Sequence, residues 1–330
     1  MTDLLTYIKN QIFTNLSPSK FENLAIALFK YQANHCSVYK EYIKLMGVNV
    51  ESVEKFSQIP FIPVEFFKDF KITSGDFVPE IVFSSSSTSG LIPSRHHIKD
   101  LGLYEKSFTN AFNHFYGNPS DYAILALLPS YLERSGSSLV YMMNSLISFG
   151  QKESGFFLYD YEKLHSVIEQ CKKQKQKIIL LGVSFALWDL STQFSIDLSG
   201  HIVIETGGMK GRKKELTRAE LHNRLKSGFN LTSVHSEYGM TELLSQAYSN
   251  GNGIFHTPPW MKVLIRDNLD PQVLLEAGKS GVINVIDLAN IYSCSFIATQ
   301  DLGVLHNDNS FEVLGRNDLS DIRGCSLMVI

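Results

Sequence analysis

Runs that are apolar at nearly every position, yet too short to cross a membrane, constrain this chain more than any other feature. From residue 81 they read "IVF", "YAILALL", "KIILLGV" and "HIVIETGG". A strand with one face in water alternates apolar and polar residues, so runs without alternation predict strands covered on both faces. Helical periodicity fills the intervals, in "IKDLGLYEKSFTNAFNHFYG", "SSLVYMMNSLISFG" and "YEKLHSVIEQCKKQ", and returns in "LTRAELHNRLKSG". Such alternation predicts an α/β fold with a largely parallel sheet. At 330 residues and 44% hydrophobic, the chain can bury a core of that kind.

The flanks differ from this middle. Residues 1–80 read as a helical N-terminal segment packed on the core, with Ser17 as an N-cap, Pro18 at the first helical position and a stop at Gly47. Residues 81–250 form the α/β core. After the glycine-rich break "SNGNG" at 249–253 come "MKVLIRD", "GVINVIDLA", "SCSFIATQDLGVL" and "SFEVLGR", short strands without a long helix between them. Residues 251–330 are therefore a smaller β-rich portion.

Composition excludes several function classes. A formal net charge of −3 with 19% charged residues asks for no nucleic-acid or membrane partner. No apolar run reaches the roughly 18 residues of a spanning helix, and "MTDLLTYIKNQIF" is too short and charged for a signal peptide. The expectation is a soluble, cytoplasmic protein without an integral membrane segment. Cys36, Cys171, Cys294 and Cys325 are scattered and show no C-x-x-C spacing, which argues against a disulfide framework or a zinc site.

Two short segments carry chemistry. "FSSSSTSGLIPSRH" follows an expected strand and precedes a helical pattern. Small residues there let backbone N–H groups approach phosphate oxygens, and the hydroxyls add donors. A solvated linker has the same composition, and the Walker spacing is absent. "YGMTE" at 238–242 places an aromatic ring, a hydroxyl and a carboxylate within five positions. It reads as a turn into a helix N-terminus. It also reads as a nucleotide site, with Tyr238 stacking on a base, Thr241 donating to a phosphate and Glu242 holding Mg²⁺.

"SSSSTSG", "ETGGMKGR", "SEYGMTE", "TQDLGVL" and "GRNDLSDIRG" come in the order of the core motifs of adenylate-forming enzymes. The chain resembles that superfamily over roughly residues 80–330. "LLPSYLERSGSSLVYMM" and "DIRGCSLMVI" are most similar to the LuxE-type acyl-protein synthetases. The resemblance implies the superfamily's large N-terminal domain and a reaction in which a carboxylic acid and ATP–Mg²⁺ give an acyl-adenylate. It implies a phosphate loop at Ser85, Ser86, Ser87, Thr88, Ser89 and Gly90, with Ser87 where relatives keep glycine. Arg95 is a candidate for the charge of the lysine those loops carry. Gly207 and Gly208 would present backbone to the adenine edge, and Tyr238 would stack on the ring. Thr241 would meet the α-phosphate, Glu242 the Mg²⁺, and Asp301 the ribose hydroxyls beside Arg316. Lys210, Arg212, Lys213 and Lys214 read as a solvated face, or else Lys210 or Arg212 faces the phosphates or the substrate carboxylate. His235 reads as structural rather than catalytic.

Full-length relatives continue beyond the "GR-x-D" hinge into a domain that carries a catalytic lysine. This sequence runs fourteen residues past Arg316, so the resemblance implies that the domain is absent. It also implies an acyl-accepting cysteine near the C-terminus, which Cys325 matches, with Arg323 favouring its thiolate. The implied substrate is a carboxylic acid of the fatty type. The implied partner is an acyl-acceptor protein, such as a reductase of the acyl-CoA type. Two alternatives stay open: an acyl-CoA ligase of the phenylacetate type, and a nucleotide-binding relative without catalysis. "FIPVEFFKDF" reads as core or as a lining of the acid pocket.

Overall fold

The computed structural model describes residues 2–85, 92–129, 136–207 and 216–316. Helices α1 (Thr2–Gln11), α2 (Pro18–His35) and α3 (Ser37–Leu45) open the chain. Ser17 caps α2 by accepting from the Lys20 amide, with Pro18 in the first turn where no N–H is needed. Two prolines then interrupt regular structure around β1 (Ile62–Pro63), and the single turn α4 (Phe66–Asp69) follows.

The next strand departs from expectation. β2 (Ile81–Ser84) pairs antiparallel with β3 (Arg95–Ile98) in a two-stranded sheet of its own. The serine segment therefore joins two hairpin strands rather than a strand and a helix. Only after β3 does α5 (Leu101–Tyr116) begin, capped by Asp100.

Among the described residues the main sheet has 12 strands. Its first half is made by β4 (Tyr122–Leu127), α6 (Ser138–Phe149), β5 (Gly155–Phe156), α7 (Tyr161–Lys173), β6 (Lys177–Val183), α8 (Ser184–Gln193), β7 (Ile202–Thr206), α9 (Arg218–Phe229) and β8 (His235–Tyr238). β5, β4, β6, β7 and β8 lie side by side and parallel. Ala123–Leu127 and Ile178–Val183 are buried along their whole length, as double coverage requires. Thr217 and Glu220 close α9 with a reciprocal capping box.

The second half is antiparallel: β9 (Ala247–Ser249), β10 (Ile254–His256), β11 (Met261–Arg266), β12 (Ser280–Asp287), β13 (Phe296–Leu305) and β14 (Phe311–Arg316). β8 pairs with β9, so one hydrogen-bonded sheet runs on past position 250. β13 keeps β12 on one side. On the other it pairs first with β1 and then with β14, with a register shift between Leu302 and Gly303. Phe296 of β13 packs against Phe29, Tyr39 and Phe61, which ties the N-terminal helices to the sheet. Gln32 adds bonds to the Asn290 and Ile291 carbonyls. Among the described residues no helix is long and apolar enough to cross a membrane.

Candidate active site

In open α/β sheets ligands collect at the carboxyl ends of the strands. Here the ends of β6, β7 and β8 are joined by hydrogen bonds. Ser184 Oγ, at the start of α8, donates to the Gly207 carbonyl at 2.7 Å and to Glu205 Oε2 at 3.1 Å. Gly207 turns the chain off β7 with φ +69°, a conformation that costs glycine least. Ser236 Oγ donates to Glu205 Oε1 at 2.8 Å, and Arg218 Nε lies 3.4 Å from the same oxygen. Burial would raise the Glu205 carboxyl, but His222 and Arg218 outweigh it and hold it below its ordinary range. Arg218 also donates to the Val313 carbonyl at 2.8 Å and lies over the Phe255 ring, so it braces β14.

Tyr238 ends β8, against Phe255 and Phe311. Its hydroxyl donates to Asp301 Oδ2 at 2.8 Å. Asp301 and Arg316 are direct partners across the β13–β14 ladder. Burial pushes the Asp301 carboxyl up, opposed by Tyr238 and by the Arg316 charge.

"YGMTE" does not lead into a helix. Thr241 and Glu242 lie in a turn that passes to β9. The reason lies downstream. Buried Asp287 takes the Leu244 and Ser245 amides at 2.8 and 2.9 Å, together with the Ser245 hydroxyl at 2.6 Å. Asn290 Nδ2 donates to the Glu242 carbonyl and His96 Nδ1 lies 2.8 Å from the Thr241 carbonyl. The Glu242 side chain is only 5% exposed. Burial raises its carboxyl, against a hydrogen bond from Ser94 and the charges of Lys68 and Arg316.

Ser94 connects this turn to the serine loop. Its amide donates to Ser85 Oγ at 2.9 Å, and its carbonyl accepts from the Ser85 amide at 3.1 Å, closing the neck of the hairpin. Arg95 is exposed on β3, opposite Ser84.

The structure thus brings Ser85, Gly207, Tyr238, Thr241, Glu242, Asp301 and Arg316 to one end of the sheet. Ser86, Ser87, Thr88, Ser89, Gly90, Gly208, Lys210, Arg212, Lys213, Lys214, Arg323 and Cys325 lie outside the described residues. His235 lies beside the Tyr116 ring, where burial pushes it down to about 4 and keeps it neutral. Phe61 and Phe67 of the aromatic N-terminal stretch are buried in the core. Sequence reading missed Ser94, His96, Glu205, Arg218, Glu237 and Asp287. Ser94 and His96 stand at the end of "FSSSSTSGLIPSRH", Glu205 at the head of "ETGGMKGR", and Glu237 inside "SEYGMTE". Glu237 accepts from Thr206 Oγ1 at 2.5 Å, and burial, with Glu205 nearby, pushes its carboxyl up to about 7.

The family model for the acyl-protein synthetase LuxE matches residues 134–330, more than half of the chain. The chain belongs to the LuxE acyl-protein synthetase family. Solved structures extend the likeness to the fold of this LuxE-family chain. ATP-bound MatB from Rhodopseudomonas palustris is 18% identical with a TM-score of 0.54, covering 73% of this chain and 49% of its own. A 2-hydroxyisobutyryl-CoA ligase in complex with 2-HIB-AMP and CoA is 11% identical with a TM-score of 0.65, covering 91% of this chain and 70% of its own. The LuxE-family chain thus spans about half the length of the MatB structure. The comparison with curated proteins returns no match.

Proposed function

We propose that the chain activates a carboxylic acid of the fatty type with ATP and then passes the acyl group to Cys325. The observation that carries this reading is the Tyr238–Asp301 hydrogen bond facing Arg316, with Glu242 held at the neck of the serine loop through Ser94. Asp301 accepts from the ribose diol while Arg316 offsets its charge. Tyr238 meets the base, and the Gly207–Gly208 backbone meets its edge. Residues 85–90 and Thr241 donate to the phosphates. ATP-bound MatB and the 2-hydroxyisobutyryl-CoA ligase in complex with 2-HIB-AMP share this fold and support the reading.

In the first step a carboxylate oxygen bonds to the α-phosphorus, the α–β bridging P–O bond breaks, and pyrophosphate leaves. In the second a thiolate bonds to the acyl carbon, and AMP departs with the electron pair of the broken C–O bond. Among the described residues no three His, Cys, Asp or Glu side chains cluster as a metal site. A lone carboxylate beside a phosphate loop suits Mg²⁺, which takes one or two carboxylates plus phosphate oxygens. Glu242 would hold it, and the ion would neutralise phosphate charge.

Cysteine chemistry supports the acceptor. Cys36, Cys171 and Cys294 are buried, and burial pushes all three thiols up, Cys171 to about 11. Such thiols make poor nucleophiles, which favours Cys325. Intact mass after incubation with ATP, Mg²⁺ and mixed fatty acids is the test, with digestion to locate the adduct. Cys325→Ser should keep acid-dependent pyrophosphate release and lose the hydroxylamine-sensitive acyl adduct. An adduct that persists refutes the acceptor, and catalytic formation of acyl-CoA on adding coenzyme A would move the acyl group there instead. Pyrophosphate exchange at background with every acid would refute the activity itself.

A further inference from the structure

His96 has no role in the chemistry above, yet it touches the site from beneath. It is 1% exposed, with the Phe67 ring nearly perpendicular to its own and the ring centroids 5.7 Å apart. Both ring nitrogens have partners: Nδ1 lies 2.8 Å from the Thr241 carbonyl and Nε2 lies 3.1 Å from Ser293 Oγ. A carbonyl can only accept, so Nδ1 carries the proton and the Ser293 hydroxyl donates to Nε2.

Ser94 stands two residues before His96 in extended chain, so the two side chains project from the same face. Ser94 reaches the Glu242 carboxyl, and His96 reaches the Thr241 carbonyl. The backbone of Ser94 also closes the neck of the serine loop. A few residues of one hairpin strand therefore hold Ser85 and also both residues of the "TE" turn. Two struts about 7 Å apart along a strand fix orientation as well as distance.

We propose that His96 is a positioning residue of the nucleotide site, setting the Thr241–Glu242 turn against the β2–β3 hairpin. This rests on the ATP-dependent reading above. A displacement near 1 Å in such a site costs on the order of 100-fold.

Two substitutions separate the struts of the ring. In His96→Asn the side-chain amide can occupy the place of Nδ1 and still donate to Thr241. In His96→Gln it extends to the place of Nε2, keeping Ser293 and releasing Thr241. Titration calorimetry with ATP and MgCl₂, without acid, is the readout, with thermal midpoints alongside. The expected result is at least about tenfold weaker binding for His96→Gln and a change within about threefold for His96→Asn, at similar midpoints. Equal affinity in both variants, or an equal loss in both, overturns the positioning role. Wild-type protein that binds no ATP·Mg²⁺ overturns the nucleotide reading and this inference with it.

A measurement on the wild-type protein needs no variant to fold. On adding ATP and MgCl₂, amide hydrogen exchange should slow together in residues 94–98 and 241–245. Protection of the turn without the hairpin strand refutes the coupling.

Discussion

Glu237→Gln tests the electrostatics at the end of β8. Glu237 is half-buried, accepts from Thr206 and lies across the ladder from Tyr248. Burial first, then the charge of Glu205, moves its carboxyl from an ordinary 4.5 to about 7. The native state therefore holds a proton that the unfolded chain releases nearer 4.5. Between those pH values the unfolded state binds fewer protons, so stability falls as pH rises, and the full penalty is present above about 7. The gap, at about 1.4 kcal/mol per pH unit, sets a ceiling of about 3–4 kcal/mol. Solvent contact at a half-buried site lowers this to about 1–2 kcal/mol. Glutamine keeps an acceptor for Thr206 and has no proton to lose. Its thermal midpoint should exceed that of the wild type by about 2–4 °C at pH 8 and converge with it near pH 5. The assay is a thermal melt at half-unit pH steps. A difference between the two proteins that stays constant across that range refutes the titration of Glu237.

Two further perturbations address the frame. Phe296→Ala should cost about 3–5 kcal/mol in denaturant unfolding, because it empties the junction of Phe29, Tyr39 and Phe61; a loss under 1 kcal/mol would show that this junction repacks freely. Arg218→Met leaves Glu205 buried with His222 as its remaining basic neighbour among the described residues and should cost about 2–3 kcal/mol. Adding Glu205→Gln should return most of that loss, and simple additivity of the two changes would contradict the ion-pair account.

Local signals were legible wherever local physics decides. Ser17 and Pro18 stand where α2 begins. The apolar runs at 122–127, 177–183 and 202–206 are the parallel strands. The misread places were settled by distant partners. Thr241 and Glu242 look like a helix start, but Asp287 takes the Leu244 and Ser245 amides from 43 and 42 residues away. The serine segment looks like a strand-to-helix loop because nothing in "SRHHI" announces a hairpin partner for "IVFS". His96 carries no signature, since its partners lie 145 and 197 residues along the chain.

Position 303 holds a consequence for the Tyr238–Asp301 end of the sheet. A side-chain carbon on Gly303 would stand 2.5 Å from the Glu312 carbonyl and 2.7 Å from Ile283. Only a glycine lets β13 and β14 close at the register shift, and that shift fixes which residue of β14 stands across from each residue of β13. A slip of one place would exchange the guanidinium facing Asp301 for the bare backbone of Gly315, and would turn alternate side chains to the opposite face. Gly303 acts as the index mark of a vernier: it brings no side chain to the pair, yet it decides whether anion and cation align.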